Sequence, residues 1–139
     1  IGFANWLEYY GRNYGGYQLS HNIFVEAGSE LGYTGLAGFV MLIIATGVMN
    51  RRTRRMASRM AGGSFFWHMA HGFDGALIGF LVGGFFVTVL YYPFFWMNLA
   101  MTAALYNVTC RAWKKEQEAK RSAQQVGPVP SRHTAGYAP

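Results

Sequence analysis

Thirty-six consecutive residues, Gly75 to Cys110, carry no charge, and the 19 residues of a second, apolar run, Leu31 to Met49, carry none either. As a helix the shorter run rises about 29 Å, close to a hydrocarbon core of roughly 30 Å. The longer run would reach about 54 Å as one straight helix, so it must break. Pro93, inside Tyr91-Tyr92-Pro93-Phe94-Phe95-Trp96, supplies the break. The rings around it belong at a membrane–water interface, where amphipathic aromatics collect. The expectation is an all-α integral membrane chain with three transmembrane helices, at about 31–49, 72–90 and 94–110.

Charge placement supports this and excludes a nucleic-acid reading. Only 13% of the residues are charged, about half of what a soluble domain carries. The net charge of +6 comes from two blocks that directly follow apolar runs. Five arginines lie within residues 51–59 and five basic residues within 111–121. Such blocks mark the cytoplasmic side, and two spans between them close the topology. Residues 1–30 then form an outside segment, 50–71 a basic inner loop within the membrane region 31–113, and 114–139 an inner tail. Arg111 to Gln125 can extend the third span as a polar helix, with Lys114–Glu118 and Glu116–Lys120 at i,i+4 spacing. Residues 126–139 hold three of the four prolines and are expected to be disordered. The chain opens Ile1-Gly2-Phe3, the start expected of a fragment or a processed product. Cys110 is the lone cysteine, expected as a buried, inert thiol.

Gly75, Gly79 and Gly83 form two consecutive GxxxG units, a stripe that lets another backbone approach closely. Ala100 and Ala104 give the third span a similarly smooth face, so the hairpin can zip on itself. Gly28 and Gly32 repeat the spacing ahead of the first span.

The densest polar group is Ser20-His21-Asn22-Ile23-Phe24-Val25-Glu26-Ala27-Gly28-Ser29-Glu30-Leu31-Gly32. Ser20 is a fair N-cap for a helix running on into the first span, with His21 in its first turn. Asn22, Glu26 and Glu30 then share one face. An imidazole there can take a proton from a hydroxyl at neutral pH, and a carboxylate can hold its tautomer. A second group, His68, His71 and Asp74, falls at i, i+3, i+6, within one helical arc. Two imidazoles and a carboxylate suit a transition metal, and a membrane histidine among Phe65, Phe66 and Trp67 can ligate a haem or chlorin. The plainer reading is an interfacial helix, so no metal and no cofactor are expected.

His21-Asn22-(x)7-Glu30-Leu31-Gly32-(x)2-Gly35-Leu36 resembles the signature of the O-antigen ligase and polymerase-like family of bacterial inner-membrane proteins. Ile1 to Trp6 resembles the Gly-rich stretch that precedes it, and Phe80 to Trp96 is similar to the family's penultimate helix and aromatic turn. The resemblance covers residues 1 to about 113, the C-terminal part of such a protein. It implies transfer of a glycan from a polyprenyl-pyrophosphate carrier to an acceptor at the periplasmic face of the inner membrane. It also implies His21 as general base, supported by Asn22, Glu26, Glu30, Gly32 and Gly35. Arg12 is the candidate for the pyrophosphate, whose concentrated charge needs a guanidinium. Other family arginines lie in upstream segments, so this chain alone is expected to be inactive. Its partners would be membrane lipid, the lipid-linked glycan and other transmembrane helices, with no nucleic acid. The alternative is a non-catalytic multi-pass subunit that packs into a larger complex, pigment- or haem-containing for example, through its glycine faces.

Overall fold

The computed structural model describes residues 6–16, 21–87, 90 and 92–125. They form five helices and no strand: α1 (Trp6–Tyr14), α2 (Ile23–Glu30), α3 (Gly32–Ala57), α4 (Ser64–Gly84) and α5 (Pro93–Gln125). Helices α3, α4 and α5 pack mutually as a bundle; α2 lies on α3, and α1 touches α2. Among the described residues one helix, α3, is both long and apolar enough to cross a membrane.

Helix boundaries depart from the edges of the uncharged runs. Helix α3 continues through Arg51–Arg55 to Ala57, because Arg, Met and Ala are good helix formers whatever their polarity. The loop expected over 50–71 therefore shrinks to six residues, 58–63. Gly62 turns there at φ +80°, and a Cβ on Gly63 would lie 2.0 Å from the Ala57 carbonyl oxygen. Helix α4 accordingly spans 64–84 instead of the expected 72–90. Pro93 opens α5, as its missing N–H and fixed φ favour at a first helical position. That helix runs unbroken past 110 to Gln125, and Lys120 meets Glu116 at 2.6 Å on its polar extension. The tail 126–139 lies outside the described residues.

The same seven-residue spacing governs the buried face of all three bundle helices. It reads Phe39, Thr46, Thr53 on α3, Ala70, Leu77, Gly84 on α4, and Phe95, Thr102, Thr109 on α5. A repeat of seven keeps one seam facing the partners as the helices coil at a shallow angle. The seam changes character along its length. At the end near α2, Phe39 meets Phe95 at 5.1 Å between centroids and Phe24 at 6.0 Å, while Phe80 stacks on Phe95 at 5.7 Å. Ile23, Ala27, Leu77 and Leu90 complete this apolar core. Toward the other end the interior is polar. Thr46, Thr53 and Thr109 donate to the carbonyls four residues back, at 2.8, 3.0 and 2.8 Å. Each hydroxyl is satisfied within its own helix.

Bridges between helices come from other side chains. Asn50, fully buried, donates to Asp74 Oδ1 at 2.7 Å, and Arg54 pairs with Asp74 Oδ2. Asn98 donates to the Phe73 carbonyl at 3.2 Å. Cys110 is only half-buried, its Sγ 3.9 Å from Met56 Sδ. The exterior, by contrast, is apolar: Met41 is 68% exposed, and Ile44, Ile78, Val82, Phe94, Met97 and Met101 are exposed with it.

Candidate functional site

Asn22, not Ser20, caps α2: its side-chain oxygen accepts from the N–H groups of Phe24 at 2.9 Å and Val25 at 3.2 Å. Asparagine in extended conformation (φ −155°) is well suited to this role. Ser20 lies outside the described residues. His21 consequently sits one residue ahead of the cap, off the helix and solvent-exposed, instead of in a first turn. The Asn22 hydrogen bonds that hold the cap fix the backbone to which the imidazole is attached.

The expected continuous helix into α3 is broken. Helix α2 stops at Glu30, and Gly32 adopts φ +70°, where a Cβ would be strained. Gly35 is required for a second reason, since a Cβ there would lie 2.2 Å from Leu31 Cβ. Leu31-Gly32-x-x-Gly35 is thus a backbone corner. Gly32 turns the chain, and Gly35 makes room for Leu31 to fold over the start of α3. A Cβ on Gly28 would meet only Leu36, at an ordinary 3.7 Å, so the Gly28/Gly32 pair is not a helix-packing stripe.

Glu26 is buried, with 4% of its surface exposed. It accepts a hydrogen bond from the backbone N–H of Leu90, which ties α2 to the segment between α4 and α5. Its Oε2 has no partner among the described residues. Burial first, and repulsion from Glu30 in addition, push its carboxyl above the ordinary range against the opposing Leu90 hydrogen bond. Arg12 lies on α1, exposed, with its guanidinium 2.8 Å from Glu8 across one helical turn. That i,i+4 spacing was the available sign of α1, a helix the hydropathy pattern does not reveal.

His21, Asn22, Glu26 and Leu90 therefore gather at one end of the bundle. The arginine block lies at the other, where Glu116 accepts from the Ala61 N–H at 3.3 Å. The remaining candidates do not join either group. Gly75, Gly79 and Gly83 face outward, and a Cβ on any of them would meet nothing within 4 Å. Ala100 and Ala104 are exposed as well, so the α4–α5 pair does not zip through these faces; Leu77, Phe80 and Phe95 fill that contact instead. His68 is held by its own helix, with Nδ1 2.8 Å from the Ser64 carbonyl, and His71 packs edge-on against Trp67. Asp74 turns to α3 instead of toward the two imidazoles, and no metal-holding group of three appears among the described residues.

Two features escaped the sequence pattern. Arg54 looks like its neighbours in a basic block, yet it alone of the five reaches Asp74. The Glu26–Leu90 contact joins distant parts of the chain and leaves no local mark. Compared with known proteins, the chain matches no family model, no curated sequence and no solved structure.

Proposed function

We propose that this chain is the C-terminal part of an O-antigen-ligase-like or polymerase-like glycosyltransferase of the bacterial inner membrane. In that reading α3, α4 and α5 are three spans, with the His21 end periplasmic and the arginine end and α5 tail cytoplasmic. An interior that turns to threonine and asparagine at one end, beside a half-buried paired aspartate and under an apolar exterior, is an arrangement that a lipid solvent favours. Helices α4 and α5 join α3 as spans because their outward side chains, Ile78, Val82, Phe94 and Met101 among them, are apolar.

One observation carries the catalytic part. His21 is an exposed imidazole, off the helix, on a backbone fixed by the Asn22 cap, at the bundle end opposite the arginines. A base there is within reach of an acceptor hydroxyl in water at the membrane surface, while the carrier's lipid stays in the bilayer. His21 takes the hydroxyl proton, the oxygen attacks the anomeric carbon with inversion, and the lipid pyrophosphate leaves. Arg12 is the guanidinium this chain offers for that leaving group, once released from Glu8. The test is glycan transfer from polyprenyl-linked donor in membranes carrying the intact protein. His21→Ala should cost on the order of 10²–10⁴ in rate with insertion and donor affinity unchanged. Full activity in His21→Ala overturns the assignment.

The outward glycine stripe on α4 favours a second reading, a non-catalytic subunit or segment that receives a further helix at Gly75, Gly79 and Gly83. Gly79→Leu should then release a co-purifying partner helix that Phe80→Leu retains. Equal tolerance of both changes removes the stripe as an interface.

A further inference from the structure

We infer that the outward face of α3 binds an anionic phospholipid, its phosphate held by Arg51, Arg52 and Arg55 and its acyl chain lying along Val48, Ile44 and Met41. The inference rests on the membrane reading above and is independent of the catalytic one. At about 100° per residue these six positions fall within one arc of roughly 120°, opposite the buried Phe39, Thr46, Asn50 and Thr53. All six are exposed. The stripe is apolar as far as Val48 and cationic from Arg51 onward. Acyl chain gives way to headgroup in the same way at a leaflet boundary.

Charge complementarity selects the headgroup. Of the six carboxylates in the chain, Asp74 is the one an α3 arginine engages, and Arg54 takes it. Glu8 is paired with Arg12 and Glu116 with Lys120, Glu26 and Glu30 belong to the opposite end, and Glu118 is exposed on the polar extension of α5. Three guanidiniums within about one helical turn therefore face outward beside apolar surface. Planar guanidiniums grip phosphate oxygens in pairs, and are less strongly hydrated than ammonium groups. A soluble polyanion would match the arginines and leave Met41, Ile44 and Val48 unused, whereas a phospholipid uses both parts of the stripe.

The experiment uses the full chain purified in a neutral detergent. Phosphatidylglycerol or phosphatidylcholine with identical acyl chains is added, and thermal unfolding is followed. Phosphatidylglycerol should raise the unfolding temperature well above the phosphatidylcholine value, and inorganic phosphate should not reproduce the shift. In R51A/R52A/R55A the phosphatidylglycerol concentration at half-effect should rise on the order of a hundredfold, from about fivefold per arginine. These positions are exposed, so the fold should tolerate the change. The variant R51K/R52K/R55K keeps the charge and loses the paired grip on phosphate oxygens, so its half-effect concentration should rise severalfold, to a value between wild type and the alanine variant. A wild-type midpoint in the lysine variant overturns the inference even where the alanine variant fails to fold. Equal responses to the two lipids, or an unchanged midpoint in the alanine variant, overturn the inference and leave the membrane reading standing. A shift equally produced by inorganic phosphate overturns it as well. A wild-type chain that stays folded and monodisperse without detergent overturns the membrane reading itself.

Discussion

The two ends of the bundle are built on one spacing and held by different forces. Phe39 and Phe95 start the buried seams of α3 and α5, and threonines continue both at seven and fourteen residues. At the α2 end, rings interlock across helices, and a buried glutamate ties the α4–α5 segment down through backbone. Toward the arginine end Thr46, Thr53 and Thr109 turn back on their own helices, Thr102 Oγ1 has no hydrogen-bond partner among the described residues, and cohesion falls to Asn50, Arg54 and Asp74. Interlocked rings hold α3, α4 and α5 together by packing and by their preferred ring geometries, and they carry α2 through Ile23 and Ala27. The pairing of Asn50 and Arg54 with Asp74 is discrete, and joins one level of α3 to one level of α4. The polar end is therefore expected to set the register of α3 against α4.

The largest break of this comparison is Asp74→Ala. It leaves Arg54 half-buried without its anion and Asn50 without its acceptor, which typically costs about 3–5 kcal/mol. Replacing the group together, Asp74→Leu with Arg54→Met and Asn50→Leu, should restore much of that stability, because no member is then left unpaired. Detergent-phase unfolding of the two variants checks both statements. If Asp74→Ala unfolds like wild type, the polar end does not set the register.

Gly32→Ala sharpens the other side. A Cβ at φ +70° costs about 1–2 kcal/mol, and the loss should be confined to the α2–α3 corner. Amide exchange should rise in α2 and at the start of α3 while Asn50 to Ala57 stay protected. Asn22→Ala comes next at about 1 kcal/mol, since the Phe24 and Val25 N–H groups lose their acceptor. It should lower transfer activity more than stability if the cap positions His21. Protection lost at both ends in either variant would show that the ends are one cooperative unit.

The sequence made visible whatever depends on a single segment. The uncharged runs located three helices, Pro93 marked the start of the last, and Asn22 and Gly32 stood in the motif that turns out to be cap and corner. Boundaries were harder, because the apolar stretch ends at Met49 while helix propensity runs on to Ala57. The direction of a face was hardest. Gly75, Gly79 and Gly83 share a stripe by spacing alone, but which side of α4 meets α3 is decided by Leu77 and Ala70. Asp74 stood out beside His68 and His71, and Glu26 on one face with Asn22 and Glu30. Their partners, Arg54 and the Leu90 N–H, are fixed only by tertiary packing.

The smallest expected effect concerns pH and isolates Glu26. Burial and Glu30 hold its carboxyl above the ordinary value of 4.5, so the folded chain binds this proton more tightly than the unfolded one. The resulting stability is fully present below 4.5 and is lost as pH rises through the elevated folded value. Glu26→Gln keeps an oxygen for the Leu90 N–H and carries no proton to lose. Wild type and Glu26→Gln should therefore unfold alike at low pH and separate above 4.5, with the amide variant the more stable. Glu26→Ala removes the acceptor, so it should be weaker than Glu26→Gln at every pH and equally free of this dependence. Amide exchange at Leu90, read beside unfolding temperature, locates the effect at the α2 end, because Asp74 and Arg54 are untouched. A wild type that instead gains stability on Glu26→Gln as the pH rises from 4 to 8 would mean that Glu26 stays ionised in the fold. The Leu90 contact would then be a charge-assisted clamp, and both ends of the bundle would depend on a buried anion.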